Sequence, residues 1–296
     1  MTEGSPGPVV VAVDHPDRAA QLVRTARDLA ALADRGVCVV TVAVKPATSP
    51  FGVFEDSLLI DQYAADSQAI LDRVTDLAPP GVPLETEVVV ATSVAEGITN
   101  VVQDRDPLAV VVGWEDRRRR DALLGTTVDR LLKRLPCDLF VERIGTTADG
   151  VESVLLPVAG GPHLAPATSV AKAIALRNDA SVSLVSVAAG DVSSDAARGF
   201  LEEARGVLES VAGPDIPIEE HHVTGDAVAE AIIREATAHD IVVFGATRQG
   251  ALRRRIVGSI PRAVAEGTDR TVVLGRAGAA VPDRYRRLGR VLPSFG

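Results

Sequence analysis

The feature that most constrains this chain is an internal duplication. Val37-Cys38-Val39-Val40-Thr41-Val42-Ala43 is answered by Val182-Ser183-Leu184-Val185-Ser186-Val187-Ala188. Val94-Ala95-Glu96-Gly97-Ile98 is answered by Val228-Ala229-Glu230-Ala231-Ile232, and Val112-Gly113 by Phe244-Gly245. The separation is roughly 130 to 145 residues, too long for a solenoid and right for a repeated domain. Each copy alternates short apolar runs with stretches of helical periodicity, so each predicts an α/β domain with a mostly parallel sheet and helices on both faces.

In the first copy the predicted strands are Val9–Val13, Val37–Val44, Glu85–Val90, Leu108–Val112 and Asp138–Glu142. Helices are expected from Ala19 to a stop at Gly36, from about Glu55 to Ala78, from Val94 to Gln103, and from Thr126 to Leu135. Thr146 to Gly150 reads as a linker. In the second copy the strands are Val154–Val158, Val182–Val187, one closing at His221-His222-Val223, Asp240–Phe244 and Thr271–Leu274. Its helices cover Pro166–Arg177, Ala196–Val211 and Ala227–Ala238, and a last helical pattern begins at Arg262. The domains are therefore placed at residues 9–144 and 151–276. The tail 277–296 carries Arg284, Arg286, Arg287 and Arg290 among apolar residues. It reads either as a loosely held tail or as a short basic amphipathic helix.

Composition supports this class. Hydrophobic residues make up 46% and aromatic residues only 3%, so the core is built from Val, Leu, Ile and Ala, as in buried parallel sheets. A net charge of −9 argues against general nucleic-acid binding. Cys38 and Cys137 both adjoin apolar runs, which suits buried thiols in a reducing cytoplasm. The N-terminus lacks the basic and apolar segments of a signal peptide, and no apolar run reaches the roughly 20 residues of a membrane span. A soluble cytoplasmic protein is expected.

The chemistry concentrates after the fourth strand of each copy. Ile241 to Phe244 stop at Gly245, a Gly- and Arg-rich loop follows, and the loop closes on Gly258-Ser259 before the last helix. A strand, a loop and a helix N-terminus offer unpaired N–H groups and a positive dipole end to an anion. Gly245, Arg248, Gly250, Gly258 and Ser259 would form the cradle. Val158 to Gly161 (Val158, Ala159, Gly160, Gly161) and Val187, at the ends of this copy's first and second strands, would border the same crevice. Arg248 either reaches outward or folds into the crevice. The first copy has Asp14 after strand one and Gly113, Gly125 and Thr126 around its loop. That loop is one residue shorter, holds Glu115 and Asp116, and has Trp114 where the second copy has Ala246. The runs Arg117–Arg120 and Arg253–Arg255 read as solvated surface or as a basic patch. His221 and His222 are strand neighbours pointing to opposite faces, so no metal site is expected.

On these residues the sequence resembles a tandem universal stress protein. The family pattern after strand four is Gly, two residues, Gly, nine residues, Gly, then Ser or Thr. Gly245, Gly258 and Ser259 match it, with Arg248 in place of the second glycine. Asp14 matches the family's aspartate at the end of strand one, and Ala159 stands there in the second copy. Gly245-Ala246-Thr247-Arg248-Gln249-Gly250, Gly258-Ser259-Ile260-Pro261 and Pro157-Val158-Ala159-Gly160-Gly161-Pro162 are also similar to the paired soluble domains of some amino-acid permeases and cation/proton antiporters.

The resemblance implies two doubly wound five-stranded parallel sheets of order 3-2-1-4-5, with a ligand crevice between strands one and four. It implies ATP as the ligand of the second domain, with adenine and ribose near Val158 to Gly161 and Val187, and no required metal. It further implies pairing through fifth strands, either as an internal pseudo-dimer with Asp138–Glu142 beside Thr271–Leu274 or as a homodimer. A transporter or another protein is the implied partner. The chain lacks the lysine-bearing phosphate loop, the Gly-x-Ser-x-Gly elbow, and the Ser-Gly-Gly-x-Asp-Ser signature of related adenylating enzymes, so no catalytic residue is assigned.

Overall fold

The computed structural model describes residues 7–44, 70, 74, 81–114, 126–146, 150–246 and 258–278. It divides into two compact units, Met1–Leu139 and Phe140–Gly296. In the first unit β1 (Gly7–Ala12), α1 (Pro16–Leu32), β2 (Val37–Val44), β3 (Leu84–Ala91), α2 (Val94–Arg105), β4 (Pro107–Gly113) and α3 (Thr126–Arg134) follow in order. β5 (Asp138–Arg143) crosses the division. The second unit continues with β6 (Ser153–Pro157), α4 (Leu164–Asn178), β7 (Ser181–Ala188), α5 (Ser194–Ser210), β8 (Ile218–Thr224), α6 (Val228–Ala236), β9 (Ile241–Gly245), α7 (Ser259–Gly267) and β10 (Thr271–Arg276).

The paired strands are parallel. In the first unit β1 lies between β2 and β4, with Val9 opposite both Val37 and Ala109, and β3 lies outside β2. In the second unit the order is β8-β7-β6-β9-β10. The first strand of each unit thus has neighbours reached by crossovers in opposite directions, which opens a crevice at its C-terminal end. Val9, Val10 and Val11 are fully buried, as are Val154, Leu155 and Leu156. Consecutive strand residues point to opposite faces, so such runs are stable only with both faces covered. Each buried Val or Leu contributes about 1.5–3 kcal/mol.

Local chemistry sets the helix ends. Pro16 opens α1 at its first position, where no N–H is missed. His15 caps it, its Nδ1 accepting from the Asp17 N–H at 3.2 Å. Ser93 Oγ accepts from the Glu96 N–H at 3.3 Å, and Ser193 Oγ from the Ala196 N–H at 3.2 Å. Gly36 is not the stop of α1. The helix ends at Leu32, and the chain reverses through Asp34 at φ 53°. Asp106 at φ 40° and Asp179 at φ 56° follow α2 and α4 in the same way. Short polar side chains tolerate the left-handed region, which here replaces the glycine stop.

The last helix also differs from expectation. α7 begins at Ser259, with Gly258 as its cap, rather than at Arg262. Pro261 fits because the first-turn N–H groups have no intrahelical acceptor. Of the long helix expected after β2, only Ile70 and Val74 are described; both are helical and buried, four residues apart on one face. Within the second unit the expected linker starts anchored: Thr146 N–H donates to Asp269 O at 2.7 Å and Gly145 N–H to Thr271 Oγ1 at 3.1 Å. Residues 147–149 and the tail from 279 lie outside the described residues. Lys172 is buried in α4 and gives its ammonium to Val211 O at 2.7 Å, tying α4 to the end of α5. Burial pulls its pKa down.

Each unit keeps a charged outer strand. On β3, Glu85 and Glu87 meet Arg105 at 2.8 and 2.7 Å. On β8, Glu220 pairs with Arg205, and His221 lies 3.4 Å from Glu235.

Candidate functional site

The candidate crevice of the second unit lies at the ends of β6, β7 and β9, and α7 begins after the loop that follows β9. After β6 the chain turns through Gly160 at φ 69° and Gly161 at φ 105°, conformations that favour glycine. Gly160 also packs closely: a Cβ there would lie 3.1 Å from the Phe200 ring and 3.4 Å from a Glu203 carboxylate oxygen. Gly161 and Ala159 face solvent, and nothing approaches the Cβ position of Gly161. Val158 and Val187 are buried, and the Val158 N–H is committed to Val185 O at 2.8 Å.

Gly245 ends β9 under the first turn of α4. A Cβ there would stand 2.7 Å from the carbonyl oxygen of His163. Glycine is therefore required for the main chains of strand and helix to meet, whatever else the site holds. His163 is buried, and its Nδ1 accepts from the Ala277 N–H at 3.1 Å. The Ala246 N–H donates to Gly275 O at 2.8 Å. At the other side of the loop Gly258 caps α7 with extended backbone and no side-chain cap bond, and Ser259 is exposed at its first position. Among the described residues the N–H groups of that turn have no side-chain acceptor of the kind Ser93 and Ser193 supply, as is also the case at the starts of α4 and α6. Arg248 and Gly250 lie outside the described residues.

The first unit fills the matching place differently. A Cβ on Gly113 would meet Leu22 Cδ1 at 3.4 Å and Arg18 Nη1 at 3.9 Å, both ordinary side-chain contacts. Arg18 Nη2 lies 3.2 Å from each carboxylate oxygen of Asp14. Asp14, expected to face a ligand, is thus engaged by a cation that leans over the strand-four glycine. Trp114 is buried beyond Gly113, as Ala246 is beyond Gly245. Thr126 opens α3; Gly125 and the loop 115–124 lie outside the described residues, as do Arg253–Arg255.

Sequence reasoning missed Arg18, His163, Phe200 and Glu203. Arg18 carried a signal in its spacing of four residues from Asp14. His163 and Phe200 carried none, because their positions depend on how α4 and α5 pack. Among the described residues no group of His, Cys, Asp or Glu is placed to hold a metal ion, and no helix is long and apolar enough to cross a membrane.

No curated protein matches the chain in sequence. Among solved structures, a universal stress protein from Archaeoglobus fulgidus DSM 4304 is similar over 91% of this chain and 97% of its own, at 15% identity and a TM-score of 0.58. A functionally unknown protein from Pseudomonas aeruginosa PAO1 is similar over 96% of both chains, at 14% identity and a TM-score of 0.55. The cytoplasmic domain of a prokaryotic cation chloride cotransporter is similar over 93% of this chain and 98% of its own, at 12% identity and a TM-score of 0.58. At these identities the likeness is one of fold. The profile of the universal stress protein family matches twice, over residues 7–143 and 150–276. Two α/β units, each with a parallel sheet, and two matches to one family profile make this chain a tandem member of the universal stress protein family.

Proposed function

We propose that the protein is a regulatory module of the stress response, acting in the cytoplasm, that binds adenine nucleotide (ATP) in its second unit without turning it over. The observation that carries this reading is the uncapped turn at Gly258-Ser259, which belongs to the unit whose strand-four glycine is met by helix backbone rather than by an arginine. Phosphate would accept from the N–H groups of that turn. The exposed, left-handed turn at Gly160-Gly161 would border the nucleoside. No lysine phosphate loop or hydrolase elbow is present in the sequence, which supports binding without catalysis. Isothermal titration of the full chain with ATP and with AMP tests the reading. Saturable heat with ATP is expected; no heat with either nucleotide at about 1 mM, where binding amounts to only about −4 kcal/mol, overturns it.

A second reading treats the chain as an interaction module that regulates a membrane transporter through a partner. The Arg18–Asp14 pair beside Gly113 favours it, because Asp14 is already engaged by the protein's own arginine. The similar fold of the cytoplasmic domain of a prokaryotic cation chloride cotransporter is consistent with such a role.

A further inference from the structure

The first unit contains a cavity that none of the crevice residues Asp14, Arg18 or Gly113 lines. It lies between α2 and α3 and has a volume of about 480 Å³, within the range of small-molecule sites. Arg130 and Arg134 line one side of it, four residues apart on one face of α3. Both are exposed, and neither forms an ion pair with any described residue. That sets them apart from Arg105, Arg205 and Arg262, each of which meets a carboxylate. Two unneutralised guanidinium groups side by side repel one another, and an anion between them relieves the repulsion.

The facing side, on α2, has the opposite character. Glu96 is held in place by the N–H and hydroxyl of Thr92, and these bonds keep its pKa below the usual carboxylate range. Both bonds go to one carboxylate oxygen, and the other accepts none from the described residues. Thr99 gives its hydroxyl proton to Ala95 O at 2.7 Å, which leaves its oxygen as an acceptor. The amide of Asn100, also on the lining, is exposed. The cavity therefore offers two cations at one wall and fixed acceptors at the other. A bare anion would leave the acceptors unused, and a neutral polyol would leave the arginines unused.

We propose that this cavity is a ligand site for a small phosphorylated compound bearing hydroxyl or amino groups, with the phosphate between Arg130 and Arg134 and the donor end at Glu96. The site is separate from the nucleotide crevice of the second unit and does not depend on it. Glycerol 3-phosphate and inorganic phosphate, titrated into the full chain at low salt and followed by calorimetry, are the probes. Glycerol 3-phosphate is expected to bind more tightly than inorganic phosphate. The double variant Arg130→Gln/Arg134→Gln should weaken it by about tenfold or more. Glu96→Gln, which keeps an acceptor for Thr92, should erase the preference for glycerol 3-phosphate while phosphate still binds. Gly258→Val crowds out any phosphate held at the α7 turn, so the arginine and Glu96 effects are read in that background. Binding that survives the double arginine variant, a preference that survives Glu96→Gln, or no binding of either probe overturns the proposal.

Discussion

The two units bring the same element to the same place and hold it with different atoms. In both, the end of the fourth strand lies against the start of the helix that follows the first strand. In the second unit the contact is main chain on main chain, with His163 O in the space a Gly245 side chain would need. In the first it is side chain on main chain, with Leu22 and Arg18 over Gly113. A duplicated fold tolerates this divergence because strand registers do not depend on it. The difference bears on which of the two glycines is replaceable.

The largest expected effect breaks that contrast directly. Gly245→Ala should destabilise the second unit by about 3 kcal/mol, because backbone cannot yield as a side chain does. Gly113→Ala should stay within about 1 kcal/mol, since its neighbours are flexible side chains. Urea denaturation of both variants measures this, with Trp114, the only tryptophan, reporting the first unit. Equal costs would show that the two contacts are alike.

The units should also fail at opposite ends of the pH scale. Cys38 in the first unit is buried, and desolvation raises its pKa from 9.0 to about 11. Between these values the unfolded thiol ionises while the folded one stays protonated. Stability therefore falls as pH rises through that window, by on the order of 2 kcal/mol. In the second unit burial of His239, with His221 nearby, lowers its imidazole pKa from the ordinary 6.5. The unfolded ring takes up a proton that the folded ring refuses, so stability falls as pH drops below about 6.5. Cys38→Ala should flatten the alkaline limb and His239→Gln the acid one. If either limb is unchanged in its variant, that group does not produce it.

Nucleotide binding sharpens the contrast at smaller energies. ATP should bind with one site per chain. Gly258→Val should weaken it about tenfold or more by crowding the phosphate at the α7 turn, and the extended backbone at Gly258 accepts valine without strain. Two equal sites would contradict the assignment to one crevice. Arg18→Ala should change stability by less than about 1 kcal/mol, as expected for an exposed pair. A measurable rise in ATP stoichiometry in that variant would show that Arg18 alone closes the first crevice.

Much of this architecture was legible in the residues. Val9 to Val11 in the first copy and Val154 to Leu156 in the second are apolar on consecutive positions, which only a doubly covered strand explains. The helix stops were less legible. Gly36 looks like a terminator, yet Asp34 takes the left-handed turn two residues earlier, because aspartate and glycine compete for that conformation and sequence alone does not rank them. The loop glycines after strand four pointed to the right stretch. What stands over them was hidden, since the contacts of His163 and Arg18 are set by helix position rather than by local pattern.

The outer strands carry a consequence for behaviour in concentrated solution. β3 and β8 are each hydrogen-bonded to a described strand, β2 and β7, on one side, and both bear carboxylates that meet Arg105 and Arg205. Charge on such a strand discourages another copy from adding to it. Replacing Glu85, Glu87 and Glu220 by glutamine removes this protection without touching the buried strands. Turbidity of that triple variant at high concentration would then arise from association of folded molecules, with strand joining strand.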